Sequence, residues 1–340
     1  MRKLNVLIAG STGYIGVQLI KLLVKHKNIN IKYLCGNSSV GKKISFYDKS
    51  LNFKKLPKIT KYNKKYLKNI DIIFTALPNG EAQKISKDLL KKNTLIDLAA
   101  DFRLKKSSDY FKWYKQKHKA IKNIKNSIYA LPEISSNEVK KFNIISCPGC
   151  YPTSILLPLI PLFQYNAINQ KTIIIDSKSG YSGAGRGIHF KYKNKNLYES
   201  LSAYGVGFHR HNAEINQELN KYTQSKMKFI FTPHLAPMFR GILSTFYVDL
   251  KKGFSDNKIH KILKNFYKGN LFIKVLKLNS LISTNEVINT NNCVISICKT
   301  KYRNKIIILS AIDNLIKGGA GQAVQNMNIK FGFSKNEGLK

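Results

Sequence analysis

The stretch LNVLIAGSTGYIGVQLIKLLVKH, residues 4–26, restricts the folds open to this chain more than any other segment. Residues 4–9 are an apolar run that reads as a buried strand. Residues 10–16 are glycine-rich, with Gly10, Gly13 and Gly16 in G-x-x-G-x-x-G spacing, and Ile15, Leu19, Leu22 and Leu23 then recur at helical intervals. Strand, glycine turn and helix in this order open a dinucleotide-binding unit. Small residues let the backbone approach a pyrophosphate, which sits on the amides of the helix N-terminus. The turn residues Gly10, Ser11, Thr12, Gly13, Tyr14, Ile15 and Gly16 are therefore cofactor-binding candidates. The bland alternative is a strand-to-helix turn with no ligand.

A second strand is expected over about 30–35. In an NAD-selective fold its end carries an acid for the ribose 2′-hydroxyl. Here the sequence reads CGNSSVGKK, with no acid. Ser38 and Ser39 can hydrogen-bond a 2′-phosphate and Lys42 or Lys43 can neutralise it, which favours NADP. Further strand-like runs, at 71–80, 93–104 and 142–150, each end in a polar loop. In an open α/β sheet, ligands gather beyond the carboxyl ends of the strands, so the loops at Pro78–Gly80, Asp101–Arg103 and Cys147–Cys150 should converge.

After residue 151 strand-like runs dominate and helices thin out, which predicts an α+β second domain on a mostly antiparallel sheet. The final stretch, NLIKGGAGQAVQNMNIKFG, reads as a glycine-rich entry to a helix. The expected architecture is α/β: a Rossmann-type domain over 1–149, with a C-terminal helix at 314–340 packing back onto it, and an α+β catalytic domain over 150–313. A chain of 340 residues is long enough for two such cores.

The formal net charge of +40 raises the question of nucleic acid. Only six of the 58 basic residues are arginine, and Lys, Asn and Ile are the residues that A/T-rich codons supply. Codon drift explains the charge, no RNA-recognition signature accompanies it, and nucleic acid is not an expected partner. Arg103, Arg186, Arg210 and Arg240 fall within motif-like stretches, where a planar fork for carboxylate or phosphate has a use that a lysine cannot fill. Five cysteines fit a reducing compartment better than a disulfide scaffold. The apolar start is too short for a signal peptide, and SILLPLIPLF is too short for a bilayer. A cytoplasmic location without membrane contact follows.

The chemistry centres on ISCPGCYPTSILLPLIPL, residues 144–161. Cys150 sits where a strand gives way to a helix, and a thiol at a helix N-terminus has a lowered pKa. Three other readings compete: a thioredoxin-type pair, which belongs in another context; a zinc fragment, which lacks a second ligand pair; and a structural cysteine, which suits Cys147. Reactivity is assigned to Cys150, and no metal is expected. YGVGFHRHNAEINQEL, residues 204–219, supplies His209, Arg210, His211 and Glu214. A histidine beside Cys150 can stabilise the thiolate and shuttle a proton. The glycine-dense SKSGYSGAGRG, residues 177–187, can cradle an oxyanion or a nicotinamide, and its Arg186 can hold a carboxylate.

These stretches, with ALPNG, DLAADFRL, YALPE, FTPHLAPMFRGIL and KGGAGQAVQNMN, occur in an order that resembles the N-acetyl-γ-glutamyl-phosphate reductase family, within the aspartate-semialdehyde dehydrogenase superfamily. The resemblance spans residues 5 to about 330. It implies NADPH-dependent reductive dephosphorylation of a small acyl phosphate in arginine biosynthesis, and a homodimer or homotetramer. It maps the nucleophile to Cys150 and its partner to His211, with His209 as the alternative and Glu214 beside them. It points to Arg103 for the phosphate and to Ser182, Gly183 and Gly185 beside the nicotinamide. Ser179 and Arg210 join Arg103 and Arg186 as substrate-binding candidates, and Pro78 and Asn314 join the cofactor set. Two positions depart from the family pattern: Cys147 stands where Asn is usual, and Ala130 where Gly is usual. The competing functions are a sister reductase acting on aspartyl phosphate or carrier-linked aminoadipyl phosphate and, from another class, a basic nucleic-acid-binding protein.

Overall fold

A computed structural model describes residues 2–52, 55–187, 197–223 and 227–339. The chain divides into two compact units: Met1–Gly149 with Gly319–Lys340, and Cys150–Gly318. The return to the first unit falls at Gly319 rather than at 314, and the C-terminal helix occupies only Gly321–Phe331 of the stretch expected for it.

In the first unit, β1 (Leu4–Ala9), β2 (Ile29–Cys35), β3 (Ile59–Thr60), β4 (Ile72–Thr75), β5 (Thr94–Asp97), β6 (Ser127–Tyr129) and β7 (Ile144–Ser146) form one sheet in the order β3-β2-β1-β4-β5-β7-β6. Every pairing is parallel. The short apolar runs IIFT and TLID are buried throughout because helices cover such a sheet on both faces. Chain order reverses direction between β1 and β4, and the glycine turn follows β1 at this switch point, where a doubly wound sheet opens a crevice. The C-terminal helix packs on the helix Pro132–Val139. Its Asn326 Nδ2 donates to Ala130 O at 2.9 Å, and its Gln325 Nε2 to Glu133 Oε1 at 2.8 Å.

The second unit is built on β8 (Ile173–Gly180), β9 (Ser202–Ala203), β10 (Phe229–Ala236), β11 (Ile242–Asp249), β12 (Ile273–Val275), β13 (Cys293–Lys299) and β14 (Lys305–Ile312), in the order β12-β13-β14-β11-β8-β10-β9. The expected mostly antiparallel sheet is mixed: β8 runs parallel to β10 and β12 parallel to β13, while the other pairings are antiparallel. The parallel β8–β10 pair has a physical cause. The helix His211–Leu219 lies between them in sequence, and a crossover through a helix returns the chain in the same direction.

The helix Cys150–Gln164 lies against β11, β14 and the helix His211–Leu219. It is buried from Tyr151 to Phe163 and continues through Pro158 and Pro161. Its Ser154 hydroxyl meets that of Ser244 at 2.8 Å, and Ser244 meets Ser177 at 2.7 Å, so the polar atoms between helix and sheet satisfy one another.

Candidate active site

In the first unit the glycine turn is shaped by backbone contact. Gly10 has φ +85°, and a Cβ there would lie 2.2 Å from Ala76 O; a Cβ on Gly16 would lie 2.2 Å from Gly10 O. Neither position can carry a side chain. Gly13, by contrast, has nothing nearer than Gly10 O at 3.7 Å, so its outer side stays open to an approaching ligand. The first bond of the helix is Val17 N–H to Gly13 O, at 2.9 Å, so the amides of residues 14–16 precede the helical ladder. Open backbone at a helix start fits a pyrophosphate. Ser11 is buried and its hydroxyl is spent on Cys35 O at 3.1 Å, which makes it part of the turn's frame. Beyond β2, Ser38 is exposed, but Ser39 is buried with its hydroxyl on Tyr47 OH, so only Ser38 presents its side chain to solvent as a 2′-phosphate contact would require.

The loops after β4, β5 and β7 converge, as their strand ends dictate. Gly80 N–H donates to Asp101 Oδ1 at 2.6 Å, and Cys147 N–H to Asp97 O at 2.8 Å. Pro78 lies exposed in the first of these loops. Arg103 is buried, with Nε on Cys147 O and Nη2 on Leu98 O, both at 2.9 Å. Two edges of its fork thus tie these loops together. Cys147 is 1% exposed, and burial pushes its thiol up to about 12, with an opposing hydrogen bond from Asn326 Nδ2 at 3.7 Å. It stays a thiol at neutral pH and is no attacking group. Asn326 also donates to Ala130 O, so one side chain touches both positions where the sequence departs from the family pattern.

In the second unit a cleft of about 300 Å³ gathers Cys150, Ser179, Gly183, His209, Arg210 and His211. Cys150 is the first residue of its helix, where the dipole favours negative charge. The helix His211–Leu219 begins with one histidine and is preceded by the other. His211 N–H donates to His209 Nδ1 at 3.2 Å, and the two rings lie 4.7 Å apart at 72°. Burial, reinforced by the charge of Arg210, lowers His209 to about 4, so it is neutral at pH 7. His211 Nε2 lies 3.8 Å from Oε1 of the fully buried Glu214, one helical turn on.

Asn314, Ser182, Gly185 and Arg186, like Glu214, lie behind or outside this lining. Asn314, expected on the cofactor, is 2% exposed, and its amide is used internally: Oδ1 accepts from Gly241 N–H at 2.7 Å and Nδ2 donates to Ser182 Oγ at 3.0 Å. Ser182 is buried with it. Arg186 is exposed next to Gly185, whose φ is +77°, and does not join the lining, although Gly187 does. Sequence reasoning missed Tyr151, Tyr204 and Leu235, which also line the cleft. Tyr151 sets its ring against His209 at 5.6 Å and His211 at 5.9 Å, and its hydroxyl accepts from Tyr204 OH at 3.1 Å and donates to His234 O at 3.2 Å. Its position next to Cys150 was the available signal. Among the described residues no cluster could hold a metal, and no helix is long and apolar enough to cross a membrane.

A cysteine at a helix start with adjacent histidines in one unit, and a glycine turn at a helix start in the other, fit a semialdehyde-dehydrogenase type of oxidoreductase. The family profile described as semialdehyde dehydrogenase, NAD binding domain, matches residues 5–142, and that described as semialdehyde dehydrogenase, dimerisation domain, matches 150–314. The fold is shared with aspartate semialdehyde dehydrogenase II of Vibrio cholerae, solved with ASA (TM-score 0.70, 16% identity, 97% of this chain and 98% of that one). It is shared also with the Candida albicans enzyme solved with NADP (TM-score 0.69, 17% identity, 98% and 99%). At the sequence level the chain is 45% identical to N-acetyl-γ-glutamyl-phosphate reductase of Thermoanaerobacter pseudethanolicus, over 98% of this chain and 96% of the relative. It is 44% identical to that of Clostridium botulinum, over 98% and 96%. The chain belongs to the N-acetyl-γ-glutamyl-phosphate reductase family.

Proposed function

We propose that this protein is an NADPH-dependent reductase that converts N-acetyl-γ-glutamyl phosphate to N-acetylglutamate 5-semialdehyde and phosphate, in arginine biosynthesis. The observation that carries the reading is the single cleft in which Cys150 opens a helix beside His209, Arg210 and His211. The Cys150 thiolate attacks the γ-carbonyl carbon, the C–O bond to phosphate breaks, and a thioester forms. The Gly10–Gly16 turn would hold NADPH, which would supply a hydride to the thioester carbonyl and so leave a thiohemiacetal alkoxide. His211 protonates the thiohemiacetal alkoxide and takes this proton back as the C–S bond breaks, which releases the aldehyde and returns the thiolate. His211, backed by Glu214, takes the proton role, because a carboxylate behind an imidazole stabilises its charged form. His209, held neutral, packs and orients.

The described lining holds one arginine and no carboxylate. A substrate bearing an ammonium group would find no counter-charge there, whereas an acetylated amine needs none and the α-carboxylate can meet Arg210. This favours the N-acetylated substrate over aspartyl phosphate. Ser179, in the same lining, completes the substrate set in this reading.

The exposed face of the second unit's sheet supports self-association as a homodimer or homotetramer. Ile230, Ile174 and Tyr247 are cross-strand neighbours on β10, β8 and β11, and are 61%, 44% and 45% exposed. None of the five cysteines is in a disulfide, in keeping with a cytoplasmic location. The test is phosphate-dependent NADP reduction with N-acetylglutamate semialdehyde, run on wild type and Cys150→Ala. The variant should bind NADPH and lose all turnover; wild-type turnover in it would end the reading.

A further inference from the structure

Arg240 lies in one of the motif-like stretches, yet the chemistry above gives it no part. It sits in the turn between β10 and β11. Its Nη1 donates to Asn289 Oδ1 at 2.5 Å and to Asp313 Oδ2 at 3.2 Å, and its guanidinium lies 5.7 Å from the Phe239 ring centroid. Asp313, directly after β14, is fully buried. Besides Arg240 its carboxylate accepts three backbone donors: Asn289 N–H on Oδ2 at 2.8 Å, and Leu315 and Ile316 N–H on Oδ1 at 2.8 and 3.0 Å. Its main-chain oxygen accepts Gly318 N–H at 2.9 Å. Asp313 therefore shapes the turn over residues 313–318, its side chain holding Leu315 and Ile316 and its main chain Gly318.

That turn touches the chemistry on two sides. At its far end Gly318 backs the nucleophile: a Cβ there would lie 2.6 Å from Cys150 Cβ and 3.0 Å from Cys150 Cα. At its near end Asn314 bridges Gly241 N–H and Ser182 Oγ. The Arg240 turn also abuts the cleft loop directly. A Cβ on Gly180 would lie 2.6 Å from Arg240 N, and Ser182 N–H donates to Phe239 O at 2.9 Å. The wall behind Cys150 and the loop over residues 179–184 thus meet at one ion pair, its carboxylate buried and its guanidinium partly so.

We propose that Arg240 and Asp313 are the positioning pair of this enzyme, fixing Cys150 against the Ser179–Ala184 loop without touching substrate. The proposal rests on Cys150 as nucleophile, and the two fail separately. Loss of the pair should displace the reacting sulfur while leaving distant binding contacts in place, and a 1 Å misplacement costs about 100-fold in rate. In the full-length enzyme, Arg240→Met should lower kcat about 100-fold with KM nearly unchanged. NADPH affinity should stay at the wild-type value, and alkylation of Cys150 by iodoacetamide without substrate should slow. Arg240→Lys, which restores the charge, should recover most of kcat. Asp313→Asn should follow Arg240→Met; should it not fold, the two Arg240 variants decide the matter. A folded Arg240→Met enzyme with wild-type kcat and alkylation rate overturns the proposal, as does a loss of activity that merely tracks the unfolded fraction in a thermal melt. If instead the catalytic assignment were wrong, Cys150→Ala would keep turnover whatever Arg240 did.

Discussion

Replacing Gly318 with alanine tests the placement of Cys150 with one methyl group. That methyl would stand 2.6 Å from Cys150 Cβ, 3.0 Å from its Cα and 3.3 Å from Ile312 Cδ1. Carbon atoms in contact settle near 3.5–4.0 Å, so the start of the Cys150 helix must retreat by roughly 1 Å. Gly318 has no positive φ, so alanine brings steric pressure and no backbone strain. Overpacking of this kind costs about 1–3 kcal/mol, or several degrees in Tm for a unit of this size. The kinetic effect should be the larger. A displacement near 1 Å lowers kcat about 100-fold, which is ~2.7 kcal/mol in the barrier. The assay is the phosphate-dependent reaction with N-acetylglutamate semialdehyde, with a thermal melt on the same preparation. Wild-type kcat in a variant whose Tm has dropped would show that Gly318 packs against Cys150 without setting its position, and the reasoning would fall.

Gly16→Ala should cripple the cofactor site and spare the thiol. Its Cβ would meet Gly10 O at 2.2 Å and Ser11 O at 2.9 Å, backbone atoms that cannot rotate away. NADPH titration should show at least a roughly tenfold loss of affinity, ~1.4 kcal/mol, while iodoacetamide still labels Cys150 at the wild-type rate; unchanged affinity would remove the turn from the site. His209 should make the protein acid-sensitive. Its folded pKa, about 4, lies below the unfolded value near 6.5, so the unfolded chain binds more protons between those pH values and stability falls as pH drops through that window. The loss is at most about 3 kcal/mol by pH 4. Urea melts at pH 7 and pH 4 should show His209→Asn losing less than wild type, and equal losses would refute the assignment.

The dinucleotide turn was readable because its constraint is local: Gly10 and Gly16 are squeezed by backbone atoms within the same β1–β4 neighbourhood, and only glycine fits. The convergence of the Asp101, Arg103 and Cys147 loops was readable because parallel strands put their carboxyl ends on one edge. Strand direction in the second unit was less so. Apolar runs announce strands, but alternation is the same for either direction, and only the helix between β8 and β10 marked that pair as parallel. The two-residue β3 and three-residue β6 are too short to leave any pattern. Ser39 and Asn314 illustrate another limit. Both are polar residues in the loops after strands, where ligand contacts are expected, and both spend their side chains on Tyr47 in one case and on Gly241 and Ser182 in the other. Where a side chain points depends on partners that a single sequence does not pair.

Composition nevertheless holds a signal for such partners. In a chain that has drifted toward lysine, a position that needs only a positive charge can be lysine. Arg103 bonds two carbonyls through two different nitrogens, and a lysine's single nitrogen cannot reproduce that planar geometry. The same holds for the acids. Only 18 residues are Asp or Glu, and Asp97, Asp101, Glu214 and Asp313 are among the most buried side chains in the protein. A buried carboxylate persists only where several donors hold it. Asp101 takes Gly80 and Gln83 amides and Tyr110 OH, Asp313 takes three amides and Arg240, and Glu214 stands behind His211. Residues that run against the drift thus mark where geometry, rather than charge alone, is under constraint, and one of them, Asp313, anchors the ion pair behind Cys150.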